Sequence, residues 1–116
     1  MYNSSIIIGR LVADPELRTT PNGKNVCNFR VAVDRPYKDS SGEKITDFIP
    51  CFCWGKDAEN IAVRFRKGDF IGVDVSLQSR NYTDKEGEKR FVLELCVEKW
   101  FFVGSKPKAD IESSEA

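Results

Sequence analysis

The sequence contains no histidine, and with that absence go the commonest general base, the usual partner of a catalytic nucleophile and the most frequent metal ligand. It also lacks an excess of either charge. With 18 basic and 18 acidic side chains, bulk electrostatics give no warrant for a polyanionic partner, and any binding surface must come from how charges are sorted between faces. No apolar run approaches the ~20 residues that a membrane span needs. The N-terminus has no basic segment followed by an apolar stretch and a small-residue cleavage site, so a cytoplasmic chain in a reducing compartment is expected. Phosphate-cradling glycine patterns of the Gly-x-Gly-x-x-Gly or Walker type are missing. Carboxylates such as Glu86 and Glu88 fall in a polar turn where nothing apolar would raise a pKa, so neither a cofactor site nor an enzyme is expected.

What remains is a chain of 116 residues, room for one domain with a modest core. Period-two alternation dominates it. A first strand, Ile6 to Ala13, is nearly continuous in apolar residues, which predicts burial on both sides or a subunit contact. Pro21, Asn22 and Gly23 mark a tight turn. A second strand, Val26 to Val33, places Cys27, Phe29, Val31 and Val33 on one face and Asn28, Arg30 and Ala32 on the other. The stretch from Asp34 to Lys44 has the composition of a long flexible loop. A third strand covers Thr46 to Trp54. Asp57 is the expected N-cap of a helix running to Lys67, with Ala58, Ile61, Ala62 and Phe65 on one stripe, Arg64, Arg66 and Lys67 in the last turn and Gly68 as its stop. A fourth strand, Phe70 to Tyr82, points Ile71, Val73, Val75 and Leu77 inward. After a hairpin loop from Thr83 to Lys89, a fifth does the same with Phe91, Leu93, Leu95 and Val97. Three strands, one short helix and two strands predict an all-β OB-fold, a five-stranded Greek-key barrel with the helix between strands three and four. Residues 1–103 are its expected extent, and 104–116 a short disordered tail.

The third strand is the most informative segment. Alternation sends Ile49, Cys51 and Cys53 to one side and Phe48, Pro50, Phe52 and Trp54 to the other. If the small residues fill the interior, three large rings line an outer surface, and a flat ring is what an unpaired base stacks on. Tyr37 and Tyr82 add candidates, with Arg35, Lys38, Arg80, Lys85, Lys89 and Arg90 nearby for phosphates. The competing reading is that the rings are core or subunit contacts. Cys27, Cys51, Cys53 and Cys96 lie inside expected strands without the Cys-x-x-Cys knuckles of structural zinc sites. They are therefore assigned as small buried hydrophobes, not metal ligands.

Taken in order, several motifs resemble one family. They are Ile8-Gly9-Arg10-Leu11, Asp14-Pro15-Glu16-Leu17-Arg18, Pro21-Asn22-Gly23, Asn28-Phe29-Arg30-Val31-Ala32-Val33, Asp47-Phe48-Ile49, Trp54-Gly55-Lys56, Arg66-Lys67-Gly68 and Leu77 through Asp84. Over residues 3 to 103 the chain is similar to the single-stranded-DNA-binding proteins of bacteria and phages. The resemblance implies an OB fold assembled as a homotetramer. It implies sequence-independent protection of single-stranded DNA in replication, recombination and repair, in a bacterial or phage-infected cell. It also implies that Tyr37, Phe48 and Tyr82 stack on bases, with Trp54 as a fourth aromatic position; Arg10, Arg18 and Lys56, which lie within the matching motifs, join the phosphate candidates. Members usually end in a longer tail tipped by an acidic run and a Pro-Phe pair that recruits replication and repair enzymes. The ending Glu112-Ser113-Ser114-Glu115-Ala116 departs from that pattern and leaves recruitment without support. The alternatives are an OB module for a protein or oligosaccharide, since the fold does not fix the ligand, and a small nuclease, for which no converging carboxylates can be placed.

Overall fold

Alternating apolar side chains build the strands, and the points where alternation stops set their limits. A computed structural model describes residues 1–104. Its elements are β1 (Ser5–Leu11), β2 (Glu16–Thr19), β3 (Asn25–Lys38), β4 (Lys44–Trp54), α1 (Gly55–Arg64), β5 (Phe70–Thr83) and β6 (Lys89–Phe102). The six strands form one sheet in the order β1-β5-β6-β4-β3-β2, and a further pairing of β1 with β3 closes a five-stranded barrel. This is the OB topology, with the helix between the strands expected to flank it. The additional strand, β2, lies along the same edge of β3 as β1 and follows it after a bend at residues 12–15. Sequence reading missed it because Glu16–Thr19 is exposed throughout and has no buried face to impose alternation.

Inside the barrel, Cys27, Phe29 and Val31 of β3 face Cys51 and Cys53 of β4, with Ile71, Val73 and Val75 of β5 and Val97 of β6 completing the packing. Closure depends on a close approach. A Cβ on Gly9 would collide with the carbonyl oxygen of Ala32 and crowd the Val31 side chain, so glycine lets β1 cross onto β3. All four cysteines are free and buried, as expected of small core residues.

Helix α1 plugs one end of the barrel with Ala58 and Ile61. It starts at Gly55 rather than at Asp57 and ends at Arg64 rather than Lys67. Asp57 therefore lies in the first turn, where its carboxylate accepts the Trp100 indole N–H at 3.2 Å instead of capping the helix. Phe65 leaves the helix in an extended conformation (φ −122°, ψ 148°). That exit turns its ring onto Phe102, stacked at 5.0 Å, and against the edge of Trp100 at 5.7 Å. Arg66 thus lies beyond the helix and caps it from outside, its Nη1 donating to the carbonyls of Ala62 (2.7 Å) and Phe65 (2.8 Å). Lys67 lies beyond it too. Gly68 has positive φ but shapes the turn into β5, donating its N–H to Leu11.

Two hairpins reach beyond the barrel. The first corrects the expected loop at 34–44: β3 continues to Lys38 and β4 resumes at Lys44, with a register shift between Asp34 and Lys38. Its composition misled because Asp39 concentrates the turn in five residues, Oδ1 taking the N–H groups of Ser41 (2.9 Å) and Glu43 (2.8 Å). Asp84 does the same for Glu86 and Glu88 in the second arm, between β5 and β6. Gly42 (φ 84°) and Gly87 (φ 81°) occupy equivalent positions of the two turns, where only glycine is unstrained.

The second arm also corrects the expected inward face. Val75 and Val97 are buried, but Leu77, Leu93 and Phe91 farther out are exposed, with Leu95 half-buried. Alternation persists along the arm after the barrel it would point into has ended. Of the three isoleucines of β1 likewise, only Ile7 packs on the core beside Leu11, while Ile6 and Ile8 face outward. Apart from Gly104, the expected tail lies outside the described residues. Among those residues, no helix is long and apolar enough to cross a membrane.

Candidate nucleic-acid interface

Directly opposed residues in antiparallel strands share a face, so the registers alone lay out the outer surface of the barrel. Arg10 of β1 opposes both Phe70 of β5 and Ala32 of β3, and Ala32 opposes Phe48 of β4. The next row places Arg30 against Pro50. The row beyond runs from Glu16 through Asn28 to Phe52, and the last from Arg18 through Val26 to Trp54. Phe48, Phe52 and Trp54 therefore form a column of rings along β4, with successive outward positions roughly 6.6–6.8 Å apart. Beside it lies Arg30 of β3, and one strand farther out Arg10 of β1 with Glu16 and Arg18 of β2 share the same face.

The rings are open. Phe48 is 59% exposed, Tyr37 53%, Trp54 47% and Tyr82 45%, which decides against the core reading for all four within this chain. Phe52 is half-buried and meets Trp54 edge to face at 6.1 Å. Ala32, between Arg10 and Phe48, is small enough to leave the floor between cation and ring clear.

The arms carry the other two rings. Tyr37 stands near the end of the β3–β4 arm, where the Arg35 Nη1 reaches its hydroxyl at 3.4 Å. Tyr82 stands near the end of the β5–β6 arm, with the Arg80 guanidinium over its ring at 5.4 Å. Tyr82, Lys89, Arg90 and Phe91 line a pocket of about 470 Å³ there, and Lys85 belongs to the turn beyond it. Trp54 and Lys56 border a further pocket of about 540 Å³ at the start of α1, facing Lys24 and Asn25.

Charge pairing divides the expected cations into two groups. Arg35 is held bidentate by Asp47, Nε to Oδ2 at 2.9 Å and Nη2 to Oδ1 at 3.0 Å. Hydrogen bonding to Asp47 and to the Tyr37 hydroxyl raises the Arg35 pKa, while the guanidinium holds the Asp47 carboxyl below the usual carboxylate value. Arg80 pairs with Glu94 at 2.6 Å and Arg90 with Asp84 at 2.8 Å. These three brace the arms and have less charge to offer an incoming phosphate. Among the described residues Arg18, Lys38, Lys56, Lys85 and Lys89 have no carboxylate partner, and Arg10 rests over Phe70 at 5.1 Å.

Sequence reading omitted Arg30, Phe91 and Lys24 from the site. The signal for Arg30 was present, because alternation about the buried Phe29 and Val31 sends it to the face that carries the rings. The signal for Phe91 was misleading, since its alternation matches that of a buried position. Among the described residues no group of histidine, cysteine, aspartate and glutamate is arranged to hold a metal ion.

Comparison with known proteins identifies the family of the chain. Residues 2–103 match the profile of the Single-strand binding protein family. The chain is 48% identical over 98 residues to the Single-stranded DNA-binding protein of Halalkalibacterium halodurans, covering 84% of this chain and 58% of that protein. It is 45% identical over 106 residues to Single-stranded DNA-binding protein A of Bacillus subtilis, covering 91% and 62%. A similar match, 45% identical with 91% and 66% covered, is Single-stranded DNA-binding protein 3 of Listeria innocua. The chain thus spans about three-fifths of the length of these curated relatives.

Proposed function

Because the chain belongs to the single-strand binding protein family, we propose that it binds single-stranded DNA through stacking that is indifferent to sequence, and that it acts by binding rather than catalysis. Residues 1–103 constitute the binding domain in this reading. The observation that carries it is the exposed ring column of β4 beside the cations of the neighbouring strands. Bases lie on Phe48 and Trp54 and on the arm rings Tyr37 and Tyr82, while Arg10, Arg18, Lys38, Lys56, Lys85 and Lys89 take phosphates. Every base has a π-face, so each stack is worth about 1–3 kcal/mol without selecting among bases. The role served is to cover unpaired DNA in the cytoplasm during replication, recombination and repair.

The same chain forms a homo-oligomer in this proposal, a homotetramer as family likeness suggests. Two features support self-association. The edge of β1 from Ser5 to Gly9 that faces away from β5 has no strand partner among the described residues, and such an edge invites pairing. Ile6, Ile8 and Phe101 make an apolar patch on the adjoining outer face. Light scattering reads the assembly directly, and a monomer at micromolar concentration would remove this part of the proposal.

Salt tests the DNA reading. Log affinity for oligo-dT falls linearly with log salt, at about −0.7 per phosphate neutralised. A flat response favours an OB module for an uncharged or protein ligand instead.

A further inference from the structure

Two carboxylates stand on the arms beside rings that would meet a polyanion. Asp47 pairs with Arg35 and Glu94 with Arg80, and all four side chains are partly open to water. Each negative charge would repel a phosphate passing the neighbouring tyrosine, and ordinary ion pairs at such exposure add little stability. Neither repulsion nor stability accounts for them.

Their placement repeats from one arm to the other. Asp47 of β4 opposes Val33 of β3, and Arg35 and Tyr37 follow Val33 at intervals of two. Glu94 of β6 opposes Gln78 of β5, and Arg80 and Tyr82 follow Gln78 at the same intervals. Each arginine therefore sits between a carboxylate on the opposite strand and a tyrosine two residues on. In the first arm Asp47 takes Nε at 2.9 Å and Nη2 at 3.0 Å, and the remaining nitrogen, Nη1, reaches the Tyr37 hydroxyl at 3.4 Å. A guanidinium is planar and rigid, so fixing two nitrogens fixes the third. In the second arm Arg80 donates Nε to Glu94 at 2.6 Å and lays its guanidinium over the Tyr82 ring, 5.4 Å from the centroid. Both tyrosines stay open, 53% and 45% exposed.

We propose that Asp47 and Glu94 are positioning residues for single-stranded DNA: each fixes an arginine that holds an arm tyrosine ready for a base, so removing either negative charge weakens stacking. An exposed tyrosine left to itself samples several rotamers and loses that freedom when a base lands on it. A ring already held loses less. The proposal rests on the single-strand reading above and adds to it a role for acidic groups.

Repulsion and positioning predict opposite signs, so a salt series separates them. Affinity for oligo-dT is measured by fluorescence anisotropy and extrapolated to about 1 M salt, where counterion release no longer contributes. Asp47→Asn lowers the extrapolated affinity about fivefold, the ordering cost of one side chain. Its salt dependence steepens by about 0.7 as the freed Arg35 takes a phosphate. Arg35→Lys, which keeps the charge without the fork, loses the same extrapolated affinity. In a Tyr37→Ala background Asp47→Asn has no further effect on it. Glu94→Gln behaves as Asp47→Asn does, and its effect vanishes with Tyr82→Ala. Thr46→Val cuts the neighbouring tie of the first arm, the hydroxyl to Asp34 at 2.7 Å, and leaves the extrapolated affinity at the wild-type value. If Thr46→Val loses as much as Asp47→Asn, these ties only hold the hairpin together and positioning fails. Unchanged or higher extrapolated affinity in Asp47→Asn and Glu94→Gln also overturns it, and leaves the single-strand reading standing. No binding of oligo-dT by the wild-type chain at any salt overturns the single-strand reading itself, and the positioning role with it.

Discussion

The barrel and its two arms are made from the same strands, yet they obey different rules. In the barrel, alternation translates into burial: Cys27, Val31, Cys53, Ile71, Val73 and Val75 are fully enclosed. In the arms the same strands continue with the same alternation and enclose nothing, so Tyr37, Leu77, Tyr82, Phe91 and Leu93 stand open. The arms are held by polar ties, Arg35 to Asp47, Thr46 to Asp34, Arg80 to Glu94 and Arg90 to Asp84. Stability and candidate binding chemistry are thus separated along single strands. The rings of β4 sit at the junction, because each outward ring there is backed by an inward core residue.

That separation gives its largest predicted effect in the core. Phe65→Ala removes a ring that is 1% exposed and packed against Trp100 and Phe102, and it should cost about 3–5 kcal/mol in a denaturant titration. Phe48→Ala and Tyr82→Ala should each weaken oligo-dT binding by about 1–3 kcal/mol while barely shifting the unfolding midpoint. A Phe48→Ala variant that unfolds as readily as Phe65→Ala would show that rings and core are one unit, and the contrast would fail.

The same division sets how much was legible in the sequence. Barrel strands were readable because two environments, inside and outside, imposed two kinds of residue, as in Ile49, Cys51 and Cys53 against Phe48, Phe52 and Trp54. The ring column followed from that reading without any coordinates. The arms were not readable, because a hairpin exposed on both faces places no demand on Leu77 or Phe91, and periodicity then reports a strand without reporting burial. Turn composition at Pro36, Ser40 and Ser41 resembled a loop, although one carboxylate at Asp39 closes the hairpin. Ion pairing was illegible for a different reason. Arg35 and Asp47 lie far apart in sequence and meet only through the β3–β4 register, so Arg35 and Arg18 look alike until that register is known.

Acid and base should pull the two regions apart, first the barrel. The cysteines lie in its wall. Burial pushes the Cys51 thiol up to about 12 from an ordinary 9.0. The hydrogen bond between Cys53 and Cys27, and then burial, raise Cys53, while burial raises Cys96. Cys27, whose sulfur the Cys53 hydrogen bond favours as thiolate, moves the other way and offsets part of the effect. Groups with folded pKa values above their unfolded ones contribute stability that is complete below about pH 9 and lost as pH rises toward the folded values. The unfolding midpoint should therefore fall between about pH 9 and 11, and less steeply in Cys51→Ala. A midpoint flat across that range would mean that the thiols titrate as freely in the fold as out of it.

The smallest effect is expected in the arms, at the opposite end of the scale. Asp34, Asp39, Asp47 and Asp84 are all shifted below the ordinary 3.8. The leading causes are the Thr46 hydroxyl for Asp34, the Ser41 hydroxyl for Asp39, the Arg35 guanidinium for Asp47 and the Arg90 guanidinium for Asp84. Lowered folded values mean that their contribution is present above about pH 4 and lost as pH falls through those values. Each carboxylate is open to water, so screening keeps the loss small and local. Amide exchange resolves it by residue: the N–H groups of Ser41, Glu43, Glu86 and Glu88, which donate to Asp39 and Asp84, should lose protection below about pH 4. Amides of Val31, Val73 and Val75 should keep theirs, because the burial that protects them involves no group titrating in that range. If arm and barrel amides instead lose protection together, the arms are not separable from the core, and the polar ties stabilise the whole fold.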